Sequence, residues 1–143
     1  MATQLTDNFT LEELYNSATA KARNIDNTPD EKAVTNLQTL ATAILQPIRN
    51  RFGKPITINS GFRCSTLNKA VGGVSTSQHL TGGAADITSV DNKALWNLIV
   101  DMVNKGEIVV GQLIWEKGSK QYPQWIHLSI PSPKHHNQVL YLY

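Results

Sequence analysis

The stretch Ser77-Gln78-His79-Leu80-Thr81-Gly82-Gly83-Ala84-Ala85-Asp86 constrains this chain more than any other. It sets a histidine and an aspartate seven positions apart, with two glycines between them and small residues leading into the aspartate. Imidazole and carboxylate both ligate Zn²⁺, and the glycines let the chain double back so that both face one ion. A third ligand must then come from elsewhere. The run Trp125-Ile126-His127-Leu128-Ser129 offers one, because its alternation reads as a strand. Trp125, His127 and Ser129 share an open face, while Ile126, Leu128 and Ile130 share the core face. Two histidines and one carboxylate leave a fourth position for water, the ligand set of a catalytic rather than a structural zinc site. Asp86 argues the same way: its neighbours Ala84, Ala85 and Ile87 are apolar, and an unpaired carboxylate among them would be costly to bury.

The frame around these residues is legible from periodicity. Thr10 followed by Glu13 is a capping-box start, and Leu11, Leu14, Tyr15 and Ala18 predict a first helix over roughly residues 11 to 22. A second helix starts with Thr28 as N-cap and Pro29 at its first position. Ala33, Leu37, Leu40, Ala41, Ile44, Leu45 and Ile48 continue it as one apolar stripe, closed by Gly53 and Pro55. Leu95, Leu98, Ile99 and Met102 mark a third, with Asp91 as cap and Gly106 as stop. Strands are expected at Ile56 to Asn59, Ala84 to Thr88, Gly111 to Glu116, Trp125 to Ile130 and Val139 to Tyr143. The third and fourth read as an antiparallel hairpin with a long loop. Helices come first and most strands late, which predicts an α+β domain with helices packed on a small antiparallel sheet.

Composition narrows the function by exclusion. A chain of 143 residues suits one domain, here residues 1–143, with a core large enough to stand without staples. Net charge +2 with 17% charged residues gives no sign of a nucleic-acid partner. The lone Cys64 rules out an intrachain disulfide and reads as a buried or inert thiol. The stretch Met1 to Asp7 lacks a basic segment followed by an apolar one, and no run reaches membrane-span length. The expectation is a soluble monomer made in the cytoplasm, with no membrane partner. His135 and His136, in a Pro-flanked polar stretch, read as exposed loop residues.

These motifs resemble the zinc D-Ala-D-Ala carboxypeptidase and endolysin peptidases of the M15 type, whose fold is shared with the Hedgehog signalling domain. Ser77, His79, Gly82, Ala84 and Asp86 all fall on the pattern SxHxxGxAxD. Asn59-Ser60-Gly61-Phe62-Arg63 is similar to that family's SGYR segment, and the resemblance implies that Arg63 grips a carboxylate of the peptide substrate. Phe9-Thr10-Leu11-Glu12-Glu13 and Ile25-Asp26-Asn27-Thr28-Pro29 resemble its short branch, common in phages and mobile elements. The resemblance implies a zinc peptidase of peptidoglycan stem peptides, of carboxypeptidase or L-Ala-D-Glu endopeptidase type, with His79, Asp86 and His127 as ligands and Ser77, Arg63 and Trp125 at the substrate. Many members carry the general base three positions before the second histidine, where this chain has Gln124. Glu116 is the nearest substitute, since the predicted hairpin would bring it beside the start of the His127 strand. Gln124 keeps a second reading open, a zinc-bearing domain of the same fold that binds wall peptides or a protein partner without turnover.

Overall fold

The computed structural model describes residues 3–143, so Met1 and Ala2, at the head of the stretch read as lacking a leader, lie outside it. Five strands form one sheet in the order β1-β2-β4-β3-β5. They are β1 (Thr57–Ser60), β2 (Ala84–Thr88), β3 (Gln112–Glu116), β4 (Trp125–Ser129) and β5 (Gln138–Leu142). The helices are α1 (Ala18–Ala22), α2 (Glu31–Leu40), α3 (Gln46–Phe52), α4 (Ser65–Ala70) and α5 (Asn92–Asn104). One apolar core joins Leu37, Leu40, Ile44 and Ile48 of the helical stripe to Ile99 of α5 and to Ile87, Leu113, Ile126 and Leu128 of the sheet. The α+β expectation is borne out. No described helix is long and apolar enough to cross a membrane.

The sheet departs from the expected arrangement at one edge. β1, β2, β4 and β3 pair antiparallel, and β3 and β4 form the expected hairpin, but β5 runs parallel to β3. Strand direction depends on how the chain returns to the sheet, and alternation within a strand carries no signal for it.

The first predicted helix is broken. A 3₁₀ turn covers Glu12–Leu14, and α1 begins at Ala18 behind its own cap, Ser17. The Thr10–Glu13 capping box forms as expected, with reciprocal bonds of 2.7 and 3.3 Å. Beyond it, the Leu14 carbonyl accepts the Phe62 N–H and the Tyr15 carbonyl accepts Asn27 Nδ2. Carbonyls that a continuous helix would use are thus spent on Phe62, next to Arg63, and on Asn27.

The long helix starts two residues later than expected. Asp30 caps it by accepting the Ala33 N–H at 2.8 Å, while Thr28 is held by Asp26. A π-helical turn at Ala41–Leu45 separates α2 from α3. Pro47 lacks an N–H and crowds the preceding turn of an α-helix, which the wider turn relieves. The helix from Asp91 to Gly106 matches its expected cap and stop, and α4 was not expected at all.

Candidate metal centre

Pairing across the sheet sets two of the three expected ligands side by side. In the β2–β4 register Asp86 lies directly opposite His127, and directly opposed residues project from the same face. His79 comes from the 3₁₀ turn Gln78–Thr81, which leads into β2 through Gly82. Gly82 adopts φ 77°, and a Cβ there would lie 2.6 Å from the Ala33 carbonyl oxygen, so only glycine lets this turn close against α2. One donor atom each from His79, Asp86 and His127 falls within 4.8 Å of the others.

The hydrogen bonds around His79 fix what its ring offers. Its Nδ1 lies 2.7 Å from the Gly61 carbonyl oxygen, so a neutral ring donates from Nδ1 and carries no proton on Nε2. That Nε2 faces Asp86 Oδ1 at 3.4 Å, and His127 Nδ1 faces the same oxygen at 2.9 Å. A bare ring nitrogen and a carboxylate oxygen are both acceptors, and a cation between them reconciles the two. His79 and His127 are buried, at 2% and 9% exposure, so the donors are shielded from competing water. Burial alone would raise the Asp86 pKa, but the His127 hydrogen bond and the two imidazoles around the carboxyl outweigh it and hold it well below its ordinary range. An ionised carboxylate with two imidazoles suits zinc in donor number and kind.

The position of His79 is itself built by the Ser60-Gly61-Phe62-Arg63 segment. A Cβ on Gly61 would sit 2.1 Å from the Leu14 carbonyl oxygen, the atom that accepts the Phe62 N–H at 2.7 Å. Glycine there lets the segment lie against Leu14 and aim its own carbonyl at His79. Ser77 Oγ accepts the His79 N–H at 3.2 Å, so this hydroxyl anchors the ligand turn as well as lining the site.

The donors open into a cleft of about 570 Å³, also lined by Arg63, Ser77, Glu116, Lys117 and Trp125. Sequence-expected site residues therefore meet in one place. Glu116 stands opposite Trp125 in the hairpin and is half-buried, with no side-chain hydrogen bond or ion pair among the described residues. Burial, then repulsion from Asp86, raises its pKa, against the opposing pull of His127, Lys117 and His79. Gln124 is absent from the cleft lining; its side chain is exposed and its N–H donates to the Glu116 carbonyl.

Arg63 is half-buried in the same cleft, its N–H donating to the His79 carbonyl at 3.0 Å. Burial lowers its pKa and Asp86 partly offsets this. Its Nε is buried without a hydrogen-bond partner, which leaves a donor for an anionic ligand.

Asn27 is the positioning residue that sequence reasoning missed. Buried at 7% exposure, it donates to the Tyr15 and Phe62 carbonyls and accepts the Cys64 N–H at 2.7 Å. Both neighbours of Arg63 are thereby tied to one amide. A loop asparagine carries no periodic signal, and only its place in the Ile25 to Pro29 motif hinted at a role.

Two smaller expectations change, for Ser129 and His135, and Cys64 gains a capping role. Ser129 is fully buried rather than open, because Gln112 N–H donates to its hydroxyl at 2.8 Å and Gly111 closes over it. The open face thus ends at His127. His135 is half-buried and bonded to Gln138, lining a separate cleft with Lys134. Cys64 is free and half-buried; its sulfur accepts the Leu67 N–H at 3.5 Å and caps α4.

A family model described as Peptidase M15 matches residues 7–129. The zinc D-Ala-D-Ala carboxypeptidase of Streptomyces albus G is 54% identical to the chain over 44 residues, 30% of this chain and 17% of that protein. The chain therefore matches only a minor part of that relative's length.

Proposed function

The chain belongs to the peptidase M15 family, and from that premise we propose that it is a zinc peptidase of peptidoglycan stem peptides, acting as one unit over residues 1–143. The observation that carries this reading is the convergence of His79, Asp86 and His127 in a cleft that also holds Glu116 and Arg63.

His79 through Nε2, Asp86 through Oδ1 and His127 through Nδ1 would hold the ion. Zinc bound by such a set supplies a Lewis acid for a peptide carbonyl and lowers the pKa of water. Glu116 takes a proton from the attacking water at its carboxylate and returns it to the leaving amine. Its raised pKa makes the carboxylate a better acceptor of the proton from water, and among the described residues no side-chain partner competes for it. Arg63 grips a substrate carboxylate with charge-assisted bonds, and Trp125 walls the cleft beside it. Ser77 and Gly61 hold His79 so that its Nε2 stays directed at the donor cluster.

A carboxypeptidase or an L-Ala-D-Glu endopeptidase role, a phage or prophage origin as an endolysin and action as a monomer all belong to this proposal. Glu116 supports turnover over the alternative of a zinc-bearing binding domain, since it brings a titratable carboxylate to the cleft where Gln124 supplies none. The test is to incubate zinc-loaded protein with purified peptidoglycan and identify new termini by mass spectrometry. New amino or carboxyl termini within the stem peptide support the proposal, whereas binding without new termini would establish the non-enzymatic reading.

A further inference from the structure

The turn that carries His79 is the far end of a closed loop. Arg63 N–H donates to the His79 carbonyl at 3.0 Å, so the chain between them returns on itself beside the metal donors. Helix α4 opens this loop, and Val71, Gly72, Gly73, Val74 and Ser77 follow it along the rim of the cleft. Asn68 lies inside the loop at 2% exposure.

A chain of hydrogen bonds runs from Asn68 to His79. The Asn68 carbonyl accepts the Gly73 N–H at 2.8 Å, and its Nδ2 donates to the Val74 carbonyl at 2.9 Å. That same Val74 carbonyl accepts the Ser77 N–H at 3.1 Å, and Ser77 Oγ in turn accepts the His79 N–H at 3.2 Å. One buried amide is thereby tied both to the rim and to the metal turn.

Asparagine is a costly residue at this depth. Its Oδ1 has no hydrogen-bond partner among the described residues, and a buried acceptor left unpaired is unfavourable. An apolar side chain of similar size would avoid that cost but could not donate to Val74. Oδ1 also lies against Gly73, where a Cβ would sit 2.1 Å from it, so a side chain at that position would push the amide off the Val74 carbonyl.

We propose that Asn68 is a positioning residue for His79. Acting through Val74 and Ser77, it fixes the turn that aims His79 Nε2 at the donor cluster, and it holds the cleft rim in the same step. This rests on the reading of His79 as a zinc ligand. Groups that orient a ligand from outside the ligand set change metal affinity when removed, even though they never touch the ion.

The test measures zinc affinity by chelator competition on folded Asn68→Ala protein, with folding checked by circular dichroism. Affinity should fall about tenfold or more. Val74→Ala keeps the bonded carbonyl and trims only an exposed side chain, so it should bind zinc within about twofold of wild type. In metal-free protein, Asn68→Ala should speed hydrogen exchange of the Ser77 and His79 amides by more than it speeds those of β4, a pattern that general loss of stability does not give. Gly73→Ala is the second variant should Asn68→Ala fold poorly, because its Cβ displaces the amide without removing it, and both effects are expected there too. Zinc affinity within about twofold of wild type in the folded variants, with only the melting temperature lowered, would make Asn68 a structural residue and overturn the proposal. A wild type that takes up no zinc would refute the ligand reading and the proposal with it. Normal zinc in the wild type with unmoved variants would refute the role of Asn68 alone.

Discussion

Asn27→Ala removes the amide that ties the Arg63 segment to the first turn, and its cost can be worked from three bonds. The side chain donates to the Tyr15 and Phe62 carbonyls at 2.8 and 3.0 Å and accepts the Cys64 N–H at 2.7 Å. A net hydrogen bond contributes about 1 kcal/mol, and a buried partner left unpaired costs more. Three such losses at a site 7% exposed predict about 3–4 kcal/mol. At roughly 4 °C per kcal/mol for a domain of this size, the melting temperature should fall on the order of 12–16 °C. The assay is thermal unfolding by circular dichroism, with Asn59→Ala as control, since that exposed residue makes a single 3.2 Å bond to Thr88. The control should shift by less than about 0.5 kcal/mol. Below its melting temperature the Asn27 variant should keep its zinc but bind substrate more weakly, because both neighbours of Arg63 have been released. A loss under about 1 kcal/mol would refute the reasoning that this amide is an irreplaceable buried tie.

Glu116→Gln should retain zinc and fold while turnover drops about a hundredfold to ten-thousandfold, and unchanged turnover would remove Glu116 from the mechanism. Because burial and Asp86 raise the Glu116 pKa above 4.5, the base is lost as pH falls through a value above 4.5, so kcat/KM should decline there, and the Gln variant should lose that limb. Arg63→Ala should raise KM about tenfold or more for a substrate with a free carboxylate near the cut, and leave an amidated substrate indifferent. Chelation should abolish activity yet leave far-ultraviolet circular dichroism largely intact, because the core of Leu37, Ile44, Ile99 and Leu128 is built without the metal donors. Complete unfolding on chelation would make the ion structural.

What the sequence made legible was whatever rests on local chemistry. Strand Ala84–Thr88 has its expected bounds, and the helix after Asp91 starts and stops where its cap and Gly106 place it. The three candidate donors could be named because their spacing matches the M15 pattern and pairs with a strand histidine downstream, which outweighs the ordinary structural uses each residue has alone. The convergence of Glu116 on the cleft followed from hairpin pairing, which Trp125 opposite Glu116 realises. Features set by distant partners were not legible. The break after Leu14 arises because Phe62 and Asn27 take carbonyls from a segment whose own periodicity favours a helix. Helix α4 is capped by a cysteine sulfur, a residue that signals no cap. Burial of Ser129 depends on Gly111 arriving from β3, and the direction of β5 depends on the path of the preceding loop.

Zinc content of protein purified without chelator tests the central claim most directly. Elemental analysis of the wild type should find about one zinc per chain, held by the three donors of an open catalytic site. His79→Ala and Asp86→Ala should each fall to near none, since removing either donor breaks the cluster that spans 4.8 Å. Full zinc in both variants, or none in the wild type after zinc loading, would contradict the account.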